Sequence, residues 1–480
     1  MRTAGIATLA AAILSACAVG PDFVPPPVPA TSSGAFATDS TAVDRTQAPP
    51  DDWWRLYDDA MLSEFVAEAL RANTDLRAAM ANLTQARAAF RETHAGEYPT
   101  TQLGAGEQYG RNLIADSIAG ATHHDAKNVF TDLGAIDVAY EVDLFGRVSR
   151  TIEAARADEE AAQAVRDAVQ VTVAAETTRA YTSALSASHE LVVARRSVEI
   201  ADAAIAIVER QVAAGAASEF DLARVRVVAH QARAQLPALE GRHRAAVLEL
   251  SALLGRTPAQ APNLASDIER DASTSGHRPL ALPVGDGAEL LARRPDVRQA
   301  ERRLAAATAR IGVATSGLYP RVSFGASLGY ASNSILKDSN SFTVGIGPLV
   351  SWTFPNQAVA RARIAQTNAA ATAALATFDG TVLRALKETE QAIVALDSER
   401  TRRVELAAAE AEAGRSYRIA SMRRREGSLS QLDLLTSEQS LIAASAALAA
   451  SDTRIADAQV TLFKALGGGW RTGEKVARGR

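Results

Sequence analysis

The sequence predicts a mainly α-helical chain that also carries membrane β-barrel strands, arranged as two tandem repeats, each of long coiled-coil helices plus one β-hairpin. Three observations predict it: residues recur at fixed offsets, apolar residues stand seven apart over stretches free of Gly and Pro, and in two places the apolar period falls to two. Asp75, Arg77, Tyr98, Pro99, Gly104, Ala105 and Tyr109 recur as Asp296, Arg298, Tyr319, Pro320, Gly325, Ala326 and Tyr330 at an offset of 221. Gly215, Asp221, Leu222, Leu254 and Gly255 recur as Gly427, Asp433, Leu434, Leu466 and Gly467 at an offset of 212. The shorter offset places extra residues between the two blocks of the first copy, in a loop.

In chain order, Arg2 precedes the apolar run Ala4 to Ala16, too short to span a bilayer and shaped like a secretory signal. The run ends in Leu14-Ser15-Ala16-Cys17, which resembles the bacterial lipobox; 1–16 then reads as a lipoprotein signal peptide and Cys17, the one cysteine, as the lipidation site. Three acyl chains hold such an N-terminus firmly where one would not. Residues 17–60, with Pro21, Pro25, Pro26, Pro27, Pro29, Pro49 and Pro50, read as an acylated, extended Pro-rich tether. Beyond it no apolar run approaches the length of a transmembrane helix.

The first repeat, 61–255, opens with a heptad helix, Leu62, Ala69, Leu76, Leu83 and Phe90 standing seven apart, and the second, 288–470, repeats it with Leu290, Val297, Leu304, Ile311 and Leu318. After Tyr319-Pro320 the period changes to two. Val322, Phe324, Ala326, Leu328 and Tyr330 alternate with Arg321, Ser323, Gly325, Ser327 and Gly329, and after a polar loop around Asn333 to Asn340 the alternation resumes from Phe342 to Phe354. That is a hairpin with one apolar and one small or polar face. The first copy follows with Leu103, Ala105 and Tyr109, then Ile136, Val138, Tyr140, Val142 and Leu144, although Glu107 interrupts the apolar face. From Gly146 to Gly215 lie 68 residues without Gly or Pro, about 100 Å of helix at ~1.5 Å per residue. Ala184, Leu191, Val198, Ile205 and Val212 give this stretch a coiled-coil seam, and Gly215 marks the turn into a helix returning from near Phe220. The second copy runs from Asn356 to Gly427, interrupted by Gly380 and Gly414. Residues 256–287 read as a connector and 471–480 as a C-terminal tail.

Four strands of membrane length do not close a barrel. Each open edge in lipid would leave backbone groups unpaired at several kcal/mol apiece, so other chains must complete the sheet. Two copies give eight strands and a barrel filled by its own side chains, whereas three give twelve and room for a lumen; physics alone does not choose three. The balance of 51 Lys+Arg against 55 Asp+Glu, net −4, leaves no basic footprint and excludes a nucleic-acid partner.

The lipobox, Gly20-Pro21-Asp22-Phe23 and the run Ala292-Arg293-Arg294-Pro295-Asp296-Val297-Arg298-Gln299-Ala300-Glu301 together resemble the TolC-like outer-membrane efflux factors, in particular the NodT and OprM type of lipoprotein. Trp53-Trp54, Glu141-Val142-Asp143-Leu144-Phe145-Gly146-Arg147, Ile311-Gly312-Val313-Ala314 and Leu318-Tyr319-Pro320 support the resemblance over nearly the whole mature chain. It implies a homotrimer, lipid-anchored in the bacterial outer membrane, with a 12-stranded β-barrel and a periplasmic α-helical barrel narrowing at the hairpin tips. It also implies a periplasmic adaptor (membrane fusion) protein and an inner-membrane efflux pump of the RND type as partners, in a tripartite system exporting drugs or other toxic compounds. The chain would be a passive exit duct, neither an enzyme nor a cofactor protein.

Two stretches, Gly215 to Leu222 and Gly427 to Leu434, look like the family's tip motif. Rings of Asp221 and Asp433 at a narrow aperture, with Glu219 beside them, would focus negative potential and favour cations. Asp433 aligns with an aperture acid of the family, while the second acid of some members is replaced by Thr436. The competing reading is that Asp221 and Asp433 only cap the returning helices. Arg423, Arg424 and Arg425 would pair with acids of a neighbouring hairpin or form a solvated face. Three weaker signals are set aside. Gly325-Ala326-Ser327-Leu328-Gly329 fits a nucleophile elbow but sits mid-strand. His123-His124-Asp125 falls in the first hairpin loop, where an exposed polar role outweighs a metal site, and four scattered Met give no thioether path. No phosphate-binding loop is present, so energy must come from partners. An outer-membrane component of a protein-secretion system and a structural coiled-coil envelope lipoprotein remain as alternatives, the second disfavoured by the period-two hairpins.

Overall fold

The structure is a computed structural model and describes residues 18–27, 34–40, 42–110, 128–272, 282–332 and 341–470. Its helices are α1 (Ala60–Ala72), α2 (Thr74–His94), α3 (Arg147–Ala213), α4 (Glu219–Leu253), α5 (Ala261–Ala272), α6 (Gly287–Arg293), α7 (Pro295–Ser316), α8 (Ala358–Arg425) and α9 (Gln431–Ala465). The strands are β1 (Val43–Asp44), β2 (Thr100–Gly110), β3 (Val129–Val142), β4 (Leu282–Pro283), β5 (Arg321–Ser332) and β6 (Phe342–Ser351). Cys17, the loop residues His123, His124 and Asp125, the loop 333–340 and the tail 471–480 lie outside the described residues.

The two long helices form without interruption, over 67 residues in α3 and 68 in α8. Gly380 and Gly414 therefore do not break the second one, a correction to the expectation above. An isolated helical glycine forfeits only about 1 kcal/mol relative to Ala, and the many surrounding alanines keep the propensity high. The return helices α4 and α9 have 35 residues each.

The opening heptad helix of each repeat is corrected in the other direction, for it is broken at one equivalent position. Asn73 is extended (ψ 132°) between α1 and α2, and Arg294 is extended (ψ 119°) between α6 and α7. Asn73 Oδ1 accepts from the backbone N–H groups of Asp75 and Leu76, starting a new helix, while Pro295 forbids the helical conformation to the residue before it. The seam survives the break: Leu62, Ala69, Leu76 and Leu83, and Leu290, Val297, Leu304 and Ile311, are all buried.

Two further expectations change. The described part of the Pro-rich stretch is packed, since Phe36, Ala42, Trp53 and Trp54 are core residues, Trp53–Tyr57 form a short 3-10 helix, and Glu390 of α8 accepts from the backbone N–H groups of Ala37 and Thr38. The connector holds an amphipathic helix, α5, because Ala261, Leu264 and Ile268 line up at helical spacing and are buried. The alternating run of the second hairpin also ends at Ser351, so Trp352 and Phe354 follow the strand.

The chain divides into two compact units. The first, within Met1–Pro26, Leu83–Ala162 and Gln299–Asp379, contains the antiparallel sheet β2-β3-β5-β6. The second, within Pro27–Asn82, Gln163–Arg298 and Gly380–Arg480, has the larger core, in which Trp53 stacks on Phe463 at 4.5 Å and Tyr181 donates to Asp59 at 2.7 Å. Each buried Leu, Ile or Phe there contributes about 1.5–3 kcal/mol relative to exposure. Among the described residues no helix is long and apolar enough to cross a membrane.

Candidate functional site

Strand register decides what each face of the sheet carries. Leu103, Ile136, Leu328 and Val344 stand in one row across all four strands, and Thr101, Val138, Ala326 and Ile346 in the next. Aromatic rows flank them. Tyr140 and Phe324 are paired on one side; on the other Tyr330 pairs with Phe342, and Tyr109 with Phe130 further out. From Phe130 to Tyr140 is ten residues, about 33 Å of strand and about 25 Å of height at a ~40° tilt, the height of an outer-membrane apolar band between its aromatic girdles. Glu107 faces Asp132 in register, one row inside Tyr109 and Phe130, so the pair of acids interrupts the apolar face near its outer rim. The opposite face carries Gln102, Asp137, Glu141, Ser323, Ser327 and Thr343 among glycines and alanines, with Leu133 and Leu349 as apolar exceptions, a surface mainly suited to water. Both outer strands, β2 and β6, keep one edge unpaired in the single chain.

The hairpin tips are copies of one device. Gly215 (φ 68°) and Gly427 (φ 78°) take the left-handed conformation that lets the chain reverse. Ser218 Oγ donates to Asp221 Oδ2 at 2.7 Å and accepts from the Asp221 N–H at 3.2 Å; Ser430 and Asp433 repeat this at 2.6 and 3.1 Å. Both aspartates thus sit in the first turn of a returning helix, with Glu219 opening α4 beside Asp221. The Ser218 hydroxyl and backbone N–H hold the Asp221 carboxyl below its ordinary range, and Arg224 adds to the effect. Arg423, Arg424 and Arg425 form the last turn of α8, where positive charge complements the helix dipole, and Arg424 Nη1 donates to the Leu429 carbonyl across the turn at 3.3 Å. Exposed beside these polar groups are Phe220, under the Arg224 guanidinium at 5.7 Å, and Leu432.

The remaining motifs of the sequence build two joints. In the first unit Ala18 to Phe23 lies against the base of the sheet. Val19 N–H donates to the Phe145 carbonyl at 3.3 Å, Asp22 pairs with the buried Arg150 at 2.5 Å, and Phe23 lies under Arg302 at 5.6 Å. Gly20 and Gly312 make this possible, since a Cβ on Gly20 would sit 2.5 Å from the Gly312 Cα. In the second unit Arg294 is buried, pairs with Asp296 at 2.7 Å and Glu388 at 2.9 Å, and donates to the Ala465 carbonyl at 2.8 Å. Asn73, its counterpart one repeat earlier, donates to the Leu253 carbonyl at 3.3 Å. Leu253 and Ala465 are the last residues of α4 and α9, so both copies bolt the end of the returning helix to the helix break.

Ser327 lies within β5 opposite Asp137 and Gly345, far from the strand-to-helix turn a nucleophile elbow needs. Among the described residues no group of three His, Cys, Asp or Glu side chains could hold a metal ion. The joint around Gly20 and Gly312 was missed by sequence reasoning. Both glycines stood in motifs already singled out, yet nothing along the chain tells that they touch.

An apolar face of membrane height on a sheet with two open edges, in a chain otherwise made of coiled-coil hairpins, defines the class: a subunit of a membrane channel. Comparison with known proteins narrows it. The family model described as "Outer membrane efflux protein" matches residues 65–256 and 287–468. Outer membrane protein OprJ of Pseudomonas aeruginosa is 30% identical over 98% of this chain and 96% of its own. The probable outer membrane lipoprotein SilC of Salmonella typhimurium is 26% identical over 95% and 97%. Among solved structures the outer-membrane channel OprN superposes with a TM-score of 0.83 at 32% identity, covering 95% of this chain and 100% of that one. The chain belongs to the outer membrane efflux protein family and is an outer-membrane efflux channel of the TolC-like, NodT type. Proteins of this family are channels and not enzymes.

Proposed function

We propose that three copies of the chain close a twelve-stranded barrel and form a passive exit duct for small toxic molecules. A periplasmic adaptor and an inner-membrane pump of the RND type would deliver them. The observation that carries this is the pair of open edges. Four antiparallel strands leave β2 and β6 running in opposite directions, so β6 of one copy meets β2 of the next in an antiparallel ladder, and head-to-tail repetition closes without a free edge. Three copies leave a water-filled lumen lined by the polar face. Acylation at Cys17 would anchor each copy to the membrane, and the segment Ala18 to Phe23 would fix that anchor to the base of the sheet.

At the tips, Asp221 and Asp433 would form carboxylate rings at the periplasmic aperture, with Gly215 and Gly427 as turn points, Glu219 adding charge, and Arg423, Arg424 and Arg425 as salt-bridge partners across copies. A second reading is favoured by the Ser218 and Ser430 bonds: each aspartate serves only its own helix start. Replacing both by Asn separates the two, since Asn removes the charge and keeps an acceptor. The aperture reading predicts higher single-channel conductance or weaker cation preference in planar bilayers for the Asp221→Asn, Asp433→Asn protein. Unchanged values for both leave the capping role alone.

A further inference from the structure

Glu438 differs from the other acids of the second hairpin. It lies on α9 one turn beyond Leu435, and Leu435 packs into an apolar cluster with Ala204 and Val208 of α3 and Leu222, Val225 and Val228 of α4. Residues three apart share a helix face, so Glu438 is carried into the seam by which the second hairpin rests on the first. It is only 3% exposed, and its Oε1 has no hydrogen-bond partner. A carboxylate held there is cut off from most of the solvent, with no charge to offset the loss. Tyr417 of α8 faces it, and Arg196 of α3 and Arg425 of α8 face Tyr417, but none of these charges offsets the loss of solvent at Glu438. Burial pushes its carboxyl from the ordinary 4.5 up to about 7.

We propose that Glu438 is a proton-operated latch between the two hairpins: neutral, it holds α9 against α3 and α4; ionised, it must reach water and carries the second tip away from the first. The packed arrangement keeps a proton that the freed one releases. Packing is therefore fully favoured below the ordinary carboxyl range and is lost as pH rises through about 7, with a shift in the packed-to-freed ratio of up to about three-hundredfold. The latch deepens the aperture reading of the tips, because it supplies a means by which periplasmic pH sets their opening.

The test uses the full-length protein reconstituted in lipid, with nitroxides on Phe220→Cys and Leu432→Cys, both exposed positions near the tips, and the unsubstituted chain with Cys17 alone as background. Pulsed electron paramagnetic resonance between about pH 5 and about pH 8 is expected to show the separation lengthening or broadening. Glu438→Gln, which is isosteric and cannot ionise, keeps the short distance at both values, and Glu438→Leu, which fills the seam, does the same. A separation that ignores pH in the native sequence overturns the latch, and so does a pH step that survives in Glu438→Gln. Conductance is recorded separately. A pH-driven separation without a change in conductance supports the latch and counts against the aperture reading.

Discussion

Arg294 shows how one residue of a recognisable motif is used. Its guanidinium is buried, pairs with the half-exposed carboxylates of Asp296 and Glu388 and also reaches the last carbonyl of α9, so its loss would leave that buried carbonyl without its bond while both carboxylates keep access to water. Leaving a buried acceptor unpaired costs about 1–3 kcal/mol, and solvent screening keeps the ion-pair contribution small. Arg294→Met is accordingly expected to lower stability by roughly 2 kcal/mol, read as a drop in the urea midpoint of the solubilised protein. Arg294→Lys should recover only part of it, because a single ammonium cannot serve the fork of acceptors. Asn73→Ala, which removes a neutral bond and a cap at the equivalent place, should lose about 1–2 kcal/mol. The run from Ala292 to Glu301 was readable as a signature, but its work was not. The partner carbonyl of Arg294 lies 171 residues along the chain, and only the fold brings it near.

At the level of elements, periodicity carried the long helices and the hairpins, because a seam of period 3.5 and a face of period two each survive averaging over ten or more residues. The break between α1 and α2 was hidden for the same reason: the apolar heptad runs straight through Asn73, so both halves bury the same face. Pro295 was a visible stop signal in the second copy, and the offset of 221 carries it onto the first. Composition misled at the Pro-rich stretch. It suggested an extended tether and gave no sign that Glu390 and the core would hold the described part of it, or that Trp53–Tyr57 would coil into a short helix. The glycine contact at Gly20 and Gly312 offers a direct check of that joint. Gly312→Leu would drive a side chain into Arg150 and the Val19 carbonyl, 2.8 Å from its Cβ, and should release the segment from Ala18 to Phe23. Limited proteolysis is expected to cut this segment in the variant while sparing it in the parent; equal protection in both would show that the joint is not held there.

For the whole molecule, the sheet requires company. Eleven backbone pairs join β2 to β3 and the remaining edges of β2 and β6 stay open, which lipid does not tolerate. The number three rests on the family resemblance, which implies a homotrimer, and twelve strands are enough to leave a lumen. The most direct measurement is the mass of the particle extracted in mild detergent without heating, combined with single cysteines placed on the open edges of β2 and β6. The account predicts a particle of three chains, with disulfides forming only between chains and converting it to covalent trimers. A monomeric particle, or edge cysteines that never cross-link, would contradict it.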